Sequence, residues 1–202
     1  MDRRISPTPL SNNTRGLSKA ELRRRLRVQL GTGPAISPRI LDLLDHLGAA
    51  AVASYEPLPH ELNVTVLNDT LAERSHSLWL PAVGHATGPL QNLPLGFRLE
   101  SEGVARLDIC LDAMLLPALA IDADGVRLGQ GGGWYDRAIA ALRLTSPDLV
   151  LIGCVPSQRF VVSGVIPRED HDVTVDYVVT EHGWARCGLV PSSDNPQGQI
   201  SS

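Results

Sequence analysis

The sequence predicts an α/β fold, a three-layer sandwich in which a mostly parallel or mixed central sheet is covered by helices on both faces. Three observations predict it. Short apolar runs alternate with amphipathic helical segments, the order that builds β-α units. Several of those runs are apolar throughout rather than at every second position, as expected of strands buried on both faces. Near the middle, a loop with four glycines in the five positions Gly129 to Gly133 runs straight into a helical segment.

The elements follow in order. Ser18 and Glu21 have the spacing of a capping box, with Leu17 and Leu22 placed to form a hydrophobic staple, so a helix starts at Ser18 and runs to about Leu30. Ser37-Pro38 opens a second helix whose apolar positions are Ile40, Leu41, Leu44 and Leu47, and Gly48 ends it. Residues 49–55 read as a buried strand, 63–74 as a helix and 77–83 as another strand. The segment 134–144 continues the glycine loop as a helix. Residues 114–121, 149–155 and 175–180 are further strand candidates.

A chain of 202 residues, 43% hydrophobic and 20% charged, suits one domain with a substantial core. That domain is expected over 17–187. The ends, 1–16 and 188–202, are rich in Ser, Pro, Asn and Gly and are expected to be disordered tails. The net charge of −4 argues against general nucleic-acid binding, and no apolar run is long enough to span a membrane. The start lacks the apolar core of a secretory signal, so a cytoplasmic location is expected. Cys110, Cys154 and Cys187 show no Cys-x-x-Cys pair and are expected to be reduced and structural. The histidines show no metal-ligand spacing, and His171-Asp172 after Pro167 reads as a pair that fixes a loop.

The chemistry-bearing stretch is Arg127-Leu-Gly-Gln-Gly-Gly-Gly-Trp-Tyr-Asp136. Glycines let successive backbone N–H groups turn toward one point, and the following helix adds the positive end of its dipole there. Arg127 supplies a fixed positive charge, and Asp136 falls in the first helical turn, where a carboxylate can hold Mg²⁺ bridging to phosphate oxygens. The same pattern also suits a tight connection whose Asp merely balances the dipole. Neither common nucleotide signature is met: no Lys-Ser/Thr follows the glycines, and Trp134 stands where a dinucleotide fingerprint has its third glycine. In the first helix, Lys19, Arg23 and Arg27 recur every four residues on one face, which suits either a ridge reaching into a cleft or a solvated charged face. Lys19 sits at the first helical position, where the dipole disfavours a cation and a bound phosphate would relieve the cost.

Together these residues resemble the 5-formyltetrahydrofolate cyclo-ligase family, also called 5,10-methenyltetrahydrofolate synthetases. The resemblance is carried by the Lys-x-x-x-Arg helix, by Tyr55 to Glu61 after the first strand, by Leu116 through Arg137 with the glycine loop, and by the closing Pro167-Arg-Glu-Asp-His171-Asp172. It covers roughly 18–183, and the closing segment is most similar to actinobacterial members. It implies a fold related to the ribose-phosphate isomerase and CoA-transferase type. It also implies ATP- and Mg-dependent cyclisation of 5-formyltetrahydrofolate to 5,10-methenyltetrahydrofolate, with release of ADP and phosphate.

Residue by residue, the resemblance implies that Lys19, Arg23, Arg127, Leu128, Gly129, Gln130, Gly131, Gly132, Gly133, Trp134, Tyr135 and Asp136 bind ATP. Asp136 is the implied Mg²⁺ ligand, Glu61 and Tyr135 the implied folate contacts, and Arg127 and Tyr135 the implied catalytic pair. Without the resemblance, Glu61 reads most simply as a surface carboxylate opening a helix. The implied partners are a reduced folate and ATP, with neither nucleic acid nor membrane, and the chain is expected to act as a monomer. Three departures from the family pattern stand out. Leu93-Pro94-Leu95-Gly96 replaces Glu-Pro-x-Gly in a shortened middle segment, Gln130 occupies a position that is often Arg, and Trp134 replaces a usual Tyr. The alternative these leave open is a non-catalytic nucleotide- or folate-binding descendant; a sugar-phosphate isomerase or acyl-transferase is a third reading, by fold analogy alone.

Overall fold

The computed structural model describes residues 5–9, 16–28, 32–74, 76–81, 97–99, 105–106, 109–169 and 172–188. Helix α1 spans Lys19–Val28. Its capping box is formed: Ser18 N–H donates to the Glu21 carboxylate at 2.9 Å and Glu21 N–H to Ser18 Oγ at 3.3 Å, satisfying two otherwise orphan donors. Helix α2 (Ile40–Leu47) ends on Gly48, whose φ of 65° is the left-handed conformation that glycine adopts without strain. Helix α3 is Thr65–Glu73 and α4 is Trp134–Leu142.

The parallel core of the main sheet uses β1 (Ala51–Ala53), β2 (Ser77–Pro81), β5 (Ala113–Pro117), β8 (Val150–Cys154) and β10 (Tyr177–Thr180). Antiparallel strands β3 (Phe97–Leu99) and β4 (Ala105–Arg106) extend one edge and β11 (Gly183–Arg186) the other, giving the order β11-β10-β8-β5-β1-β2-β3-β4. Alternate side chains separate into two cores, as the pleat requires. Val52, Ala113, Leu115, Ile152 and Val179 pack with Ile40, Leu43 and Leu44 of α2 and Leu67 and Leu71 of α3. Ala53, Met114, Leu116, Leu151 and Val178 pack with Trp134, Ala138, Ile139 and Leu142 of α4. The three layers are therefore helices, sheet and helix. Among the described residues no helix is long and apolar enough to cross a membrane.

A second sheet of three strands, β6 (Ala120–Asp122), β7 (Arg127–Leu128) and β9 (Phe160–Val161), has the order β7-β6-β9. It corrects the expectation of one strand over 114–121. Pro117, at the end of β5, is followed by a break at Ala118 and Leu119, and the chain re-enters extended structure in the small sheet. Leu22 and Leu26 of α1 close this sheet by packing with Ala120, Val126, Leu128 and Val161. Residues 5–9 lie within the segment expected to be a tail, yet Thr8 bridges Val161 and its N–H donates to the Phe160 carbonyl at 2.8 Å. The expected helix end at Leu30 and the Leu93–Gly96 departure lie outside the described residues.

The β6–β7 turn is docked on the main sheet. Gly125 adopts φ +84°, and a Cβ there would sit 2.4 Å from the Val175 carbonyl oxygen, so both conformation and space require glycine. Gly164 has a similar φ of +75° but open space around it. Gly125→Ala should therefore lower unfolding free energy by about 2–3 kcal/mol, against about 1 kcal/mol for Gly164→Ala, measured by urea unfolding. Equal costs would show that the backbone contact to Val175 does not constrain the turn.

Candidate functional site

In the main sheet the chain runs from β1 to β2 in one direction, then returns to place β5 on the other side of β1. Such a switch point opens a crevice beyond the carboxyl ends of the strands. Here it is a cavity of about 590 Å³, of the size that small-molecule sites usually have. Its wall includes Glu56, Leu58 and Glu61 after β1, Pro81 and Pro117 at the ends of β2 and β5, and the loop Gly129 to Gly133. The side chains of Lys19, Arg23, Trp134, Tyr135, Asp136 and Arg137 complete the near side, with Glu169, Asp172 and Val173 opposite in sequence.

The glycine loop is held by its carbonyls. Arg23 Nε donates to the Gly129 carbonyl at 3.0 Å, and Arg27 donates to the Gln130 carbonyl at 2.6 Å. Among the described residues, the backbone N–H groups of 129–133 donate to no backbone partner. The arginines of α1 thus occupy the acceptors and leave the donors for a ligand. Gly131 adopts φ +99° with Arg23 against it, and Gly133 adopts φ +62° where α4 begins. A Cβ on Gly129 would lie 3.3 Å from an Arg127 nitrogen.

Arg127 is buried, with the residue 9% exposed. Its guanidinium donates to the Asp136 carboxylate at 2.6 Å and its Cζ lies 5.8 Å from the centre of the Tyr135 ring, while Nε has no hydrogen-bond partner. The next residue of β7, Leu128, points the other way by strand alternation and is wholly buried with α1, so its side chain takes no part in the cavity. Lys19, also 9% exposed, is gripped by both oxygens of Asp172 at 2.5 Å and by Glu169 at 3.0 Å. Asp136 and Asp172 are therefore each paired with a cation on the wall of one cavity. Among the described residues no three His, Cys, Asp or Glu side chains gather as a ready-made metal site.

Glu61 is a buried wall residue rather than a surface carboxylate. Burial pushes its carboxyl up, against the Leu58 N–H at 3.1 Å and the Gln130 amide, which favour the charged form. Its loop is tied down twice. Tyr55 donates to the Leu62 carbonyl at 2.8 Å, and Gly33 packs so closely that a Cβ there would lie 1.6 Å from the Glu61 carbonyl oxygen. The Tyr135 hydroxyl is held well above its usual pKa by burial and by the Glu61 charge.

The structure thus gathers Lys19, Arg23, Glu61, Arg127, Gly129 to Gly133, Trp134, Tyr135 and Asp136 around one cavity. Sequence reasoning missed Glu169 and Asp172 as wall residues; the signal was there in the closing Pro167 to Asp172 segment, which carries the family resemblance but whose His171-Asp172 pair reads as fixing a loop. His171 lies outside the described residues.

Asp122 ends β6, the strand that pairs with β7, where Arg127 stands. Its Oδ1 accepts N–H bonds from Asp124 at 3.1 Å and Val126 at 2.9 Å, which closes the β6–β7 turn, while buried Oδ2 has no partner. Burial chiefly pushes this carboxyl up from 3.8 to about 6. A carboxyl with a raised folded-state pKa contributes stability below its unfolded value and loses it as pH rises through the folded one. The stability difference between the native protein and Asp122→Asn should therefore shift by about 2 kcal/mol against the native protein from pH 4 to pH 7. Urea unfolding at both pH values reads this directly; a difference that does not change with pH would contradict it.

A family model described as the 5-formyltetrahydrofolate cyclo-ligase family matches residues 15–181. A 5-formyltetrahydrofolate cyclo-ligase of Mycolicibacterium smegmatis is 30% identical over 154 residues, which cover 66% of this chain and 75% of that protein. A mitochondrial 5-formyltetrahydrofolate cyclo-ligase of Arabidopsis thaliana is 32% identical over 89 residues, covering 42% of this chain and 32% of that one. In fold, the chain is similar to the 5,10-methenyltetrahydrofolate synthetase of Aquifex aeolicus, solved by NMR, with a TM-score of 0.57 at 22% identity over 89% of this chain and 98% of that one. The synthetase of Mycoplasma pneumoniae gives a TM-score of 0.55 at 22% identity over 82% and 90%.

Proposed function

Since the chain belongs to the 5-formyltetrahydrofolate cyclo-ligase family, we propose that it cyclises 5-formyltetrahydrofolate to 5,10-methenyltetrahydrofolate, using Mg-ATP and releasing ADP and phosphate. The observation that carries this reading is the pair of charge couples on one cavity wall, Arg127 with Asp136 and Lys19 with Asp172. Each joins a cation suited to phosphate oxygens to a carboxylate suited to a hard divalent ion. An arriving nucleotide exchanges these internal pairs for external ones: phosphates take the cations, and the released carboxylates face outward as oxygen ligands. Hard oxygen donors are the set that Mg²⁺ prefers, so Asp136 and Asp172 would hold it. Mg²⁺ bound with the nucleotide supplies neutralisation of phosphate charge.

The reaction activates a poor electrophile. The formyl oxygen of the substrate attacks the γ-phosphorus, forming an O–P bond while the bond to the β-phosphate oxygen breaks and ADP leaves. N10 then attacks the formyl carbon, loses its proton, and the C–O bond to phosphate breaks. No protein nucleophile is needed. Arg127, Lys19, Arg23 and the N–H groups of 129–133 stabilise the charge on the transferred phosphoryl group and hold it in line. Arg127 is preorganised for this, because its guanidinium is already desolvated and packed on Tyr135. Glu61, on the same cavity wall, would accept N–H groups of a pteridine ring.

Incubation with 5-formyltetrahydrofolate, ATP and Mg²⁺ should produce the near-ultraviolet band of the methenyl product, and omission of ATP should abolish it. Protection of the protein by ATP against thermal unfolding without growth of the band would replace this reading with nucleotide binding alone. Arg127→Ala and Asp136→Ala should each lower kcat at least about 100-fold while leaving the folded circular dichroism spectrum intact. Full turnover in either variant would remove that residue from the site.

A further inference from the structure

Gln130 is the one residue of the glycine loop that carries a side chain, standing among Gly129, Gly131, Gly132 and Gly133. That side chain is engaged on both sides. Arg27 donates to its Oε1 at 3.3 Å as well as to its backbone carbonyl at 2.6 Å, so one guanidinium fixes both the main chain and the amide of the same residue. Its Nε2 lies 3.1 Å from His60 Nε2. Arginine can only donate, so the amide oxygen must be the atom facing Arg27 and the amide nitrogen the atom facing His60. His60 Nε2 therefore accepts, and the imidazole is neutral with its proton on Nδ1. Burial and the neighbouring Arg159 and Arg27 charges favour the same neutral form. His60 immediately precedes Glu61 in the loop that follows β1. Both Gln130 and Glu61 line the cavity.

We propose that Gln130 is a positioning residue that locks the Glu61 loop to the phosphate loop through His60, with Arg27 setting the direction of its amide. The inference rests on the cyclo-ligase reading of the site and adds a coupling between its two ends: the loop that receives phosphate also fixes the carboxylate that meets the ring of the folate. An arginine at this position would bring a cation against Arg27 and would have no acceptor to offer it. Glutamine has both an acceptor for Arg27 and a donor for His60. The side chain acts on substrate through Glu61 and not by contact with the transferred phosphoryl group.

Steady-state kinetics test this with Gln130→Met, which keeps length and removes both amide functions, and with Gln130→Glu, which keeps an acceptor for Arg27 but replaces the donor to His60 with a second carboxylate on the cavity wall that carries Glu61. In Gln130→Met the KM for 5-formyltetrahydrofolate should rise about tenfold with the KM for ATP within about twofold. Gln130→Glu should raise the folate KM further, and this second variant keeps the test open should the first fold poorly. In a Glu61→Gln background, Gln130→Met should have no further effect on the folate KM, because once the carboxylate is gone its positioning no longer counts. An unchanged folate KM in Gln130→Met, equal rises for folate and ATP, or additive effects in the double variant would each overturn the inference while the native protein still turns over. Absence of turnover in the native protein would instead overturn the reading of the site, and the inference with it.

Discussion

The burial of Arg127 is the constraint around which the site is built. A guanidinium removed from water is costly unless its N–H groups find partners, and here one carboxylate and one aromatic ring face it while Nε stays without a partner. Its surroundings are arranged to hold it nonetheless. The β6–β7 turn below it is closed by Asp122 and requires glycine at 125, and Gly129 leaves the space that the guanidinium fills. Tyr135 and Asp136, in the first turn of α4, also face it. In the proposed reaction, a cation held this firmly and paired this sparely meets the phosphate of the nucleotide.

Much of this was legible in the sequence, and the legible parts share a cause: they are local. The Ser18–Glu21 box, the Gly48 stop and the start of α4 at the glycine loop are written within a few residues of one another. The five parallel strands announce themselves as apolar runs because both faces are covered. The small sheet was not legible, since β7 and β9 have two residues each and show no period. For that reason residues 114–121 read as one strand, and Leu128 was grouped with ligand-facing residues although alternation turns it inward.

What the sequence could not show is who holds whom. The cation at the first position of α1 was visible as an electrostatic oddity, but Asp172 lies 153 residues away and no spacing rule reaches that far. The same holds for Gly33, whose missing Cβ is explained only by the Glu61 carbonyl packed against it. Contacts of this kind define the chemistry of the cavity. Its wall carries Lys19, Arg23, Arg127 and Arg137 together with Glu56, Glu61, Asp136, Glu169 and Asp172. The charges nearly balance, so that in the proposed reaction nucleotide binding is an exchange of partners rather than a gain of charge.

In the proposed function, the carboxylates paired with Arg127 and Lys19 serve a metal ion once phosphate has taken their cations. Titration calorimetry of ATP into the native protein, with Mg²⁺ and again with a chelator, tests it most directly. Binding should weaken about tenfold or more when Mg²⁺ is withheld, since Asp136 and Asp172 would then face the phosphates as unneutralised like charges. Equal affinity with and without Mg²⁺ would contradict it.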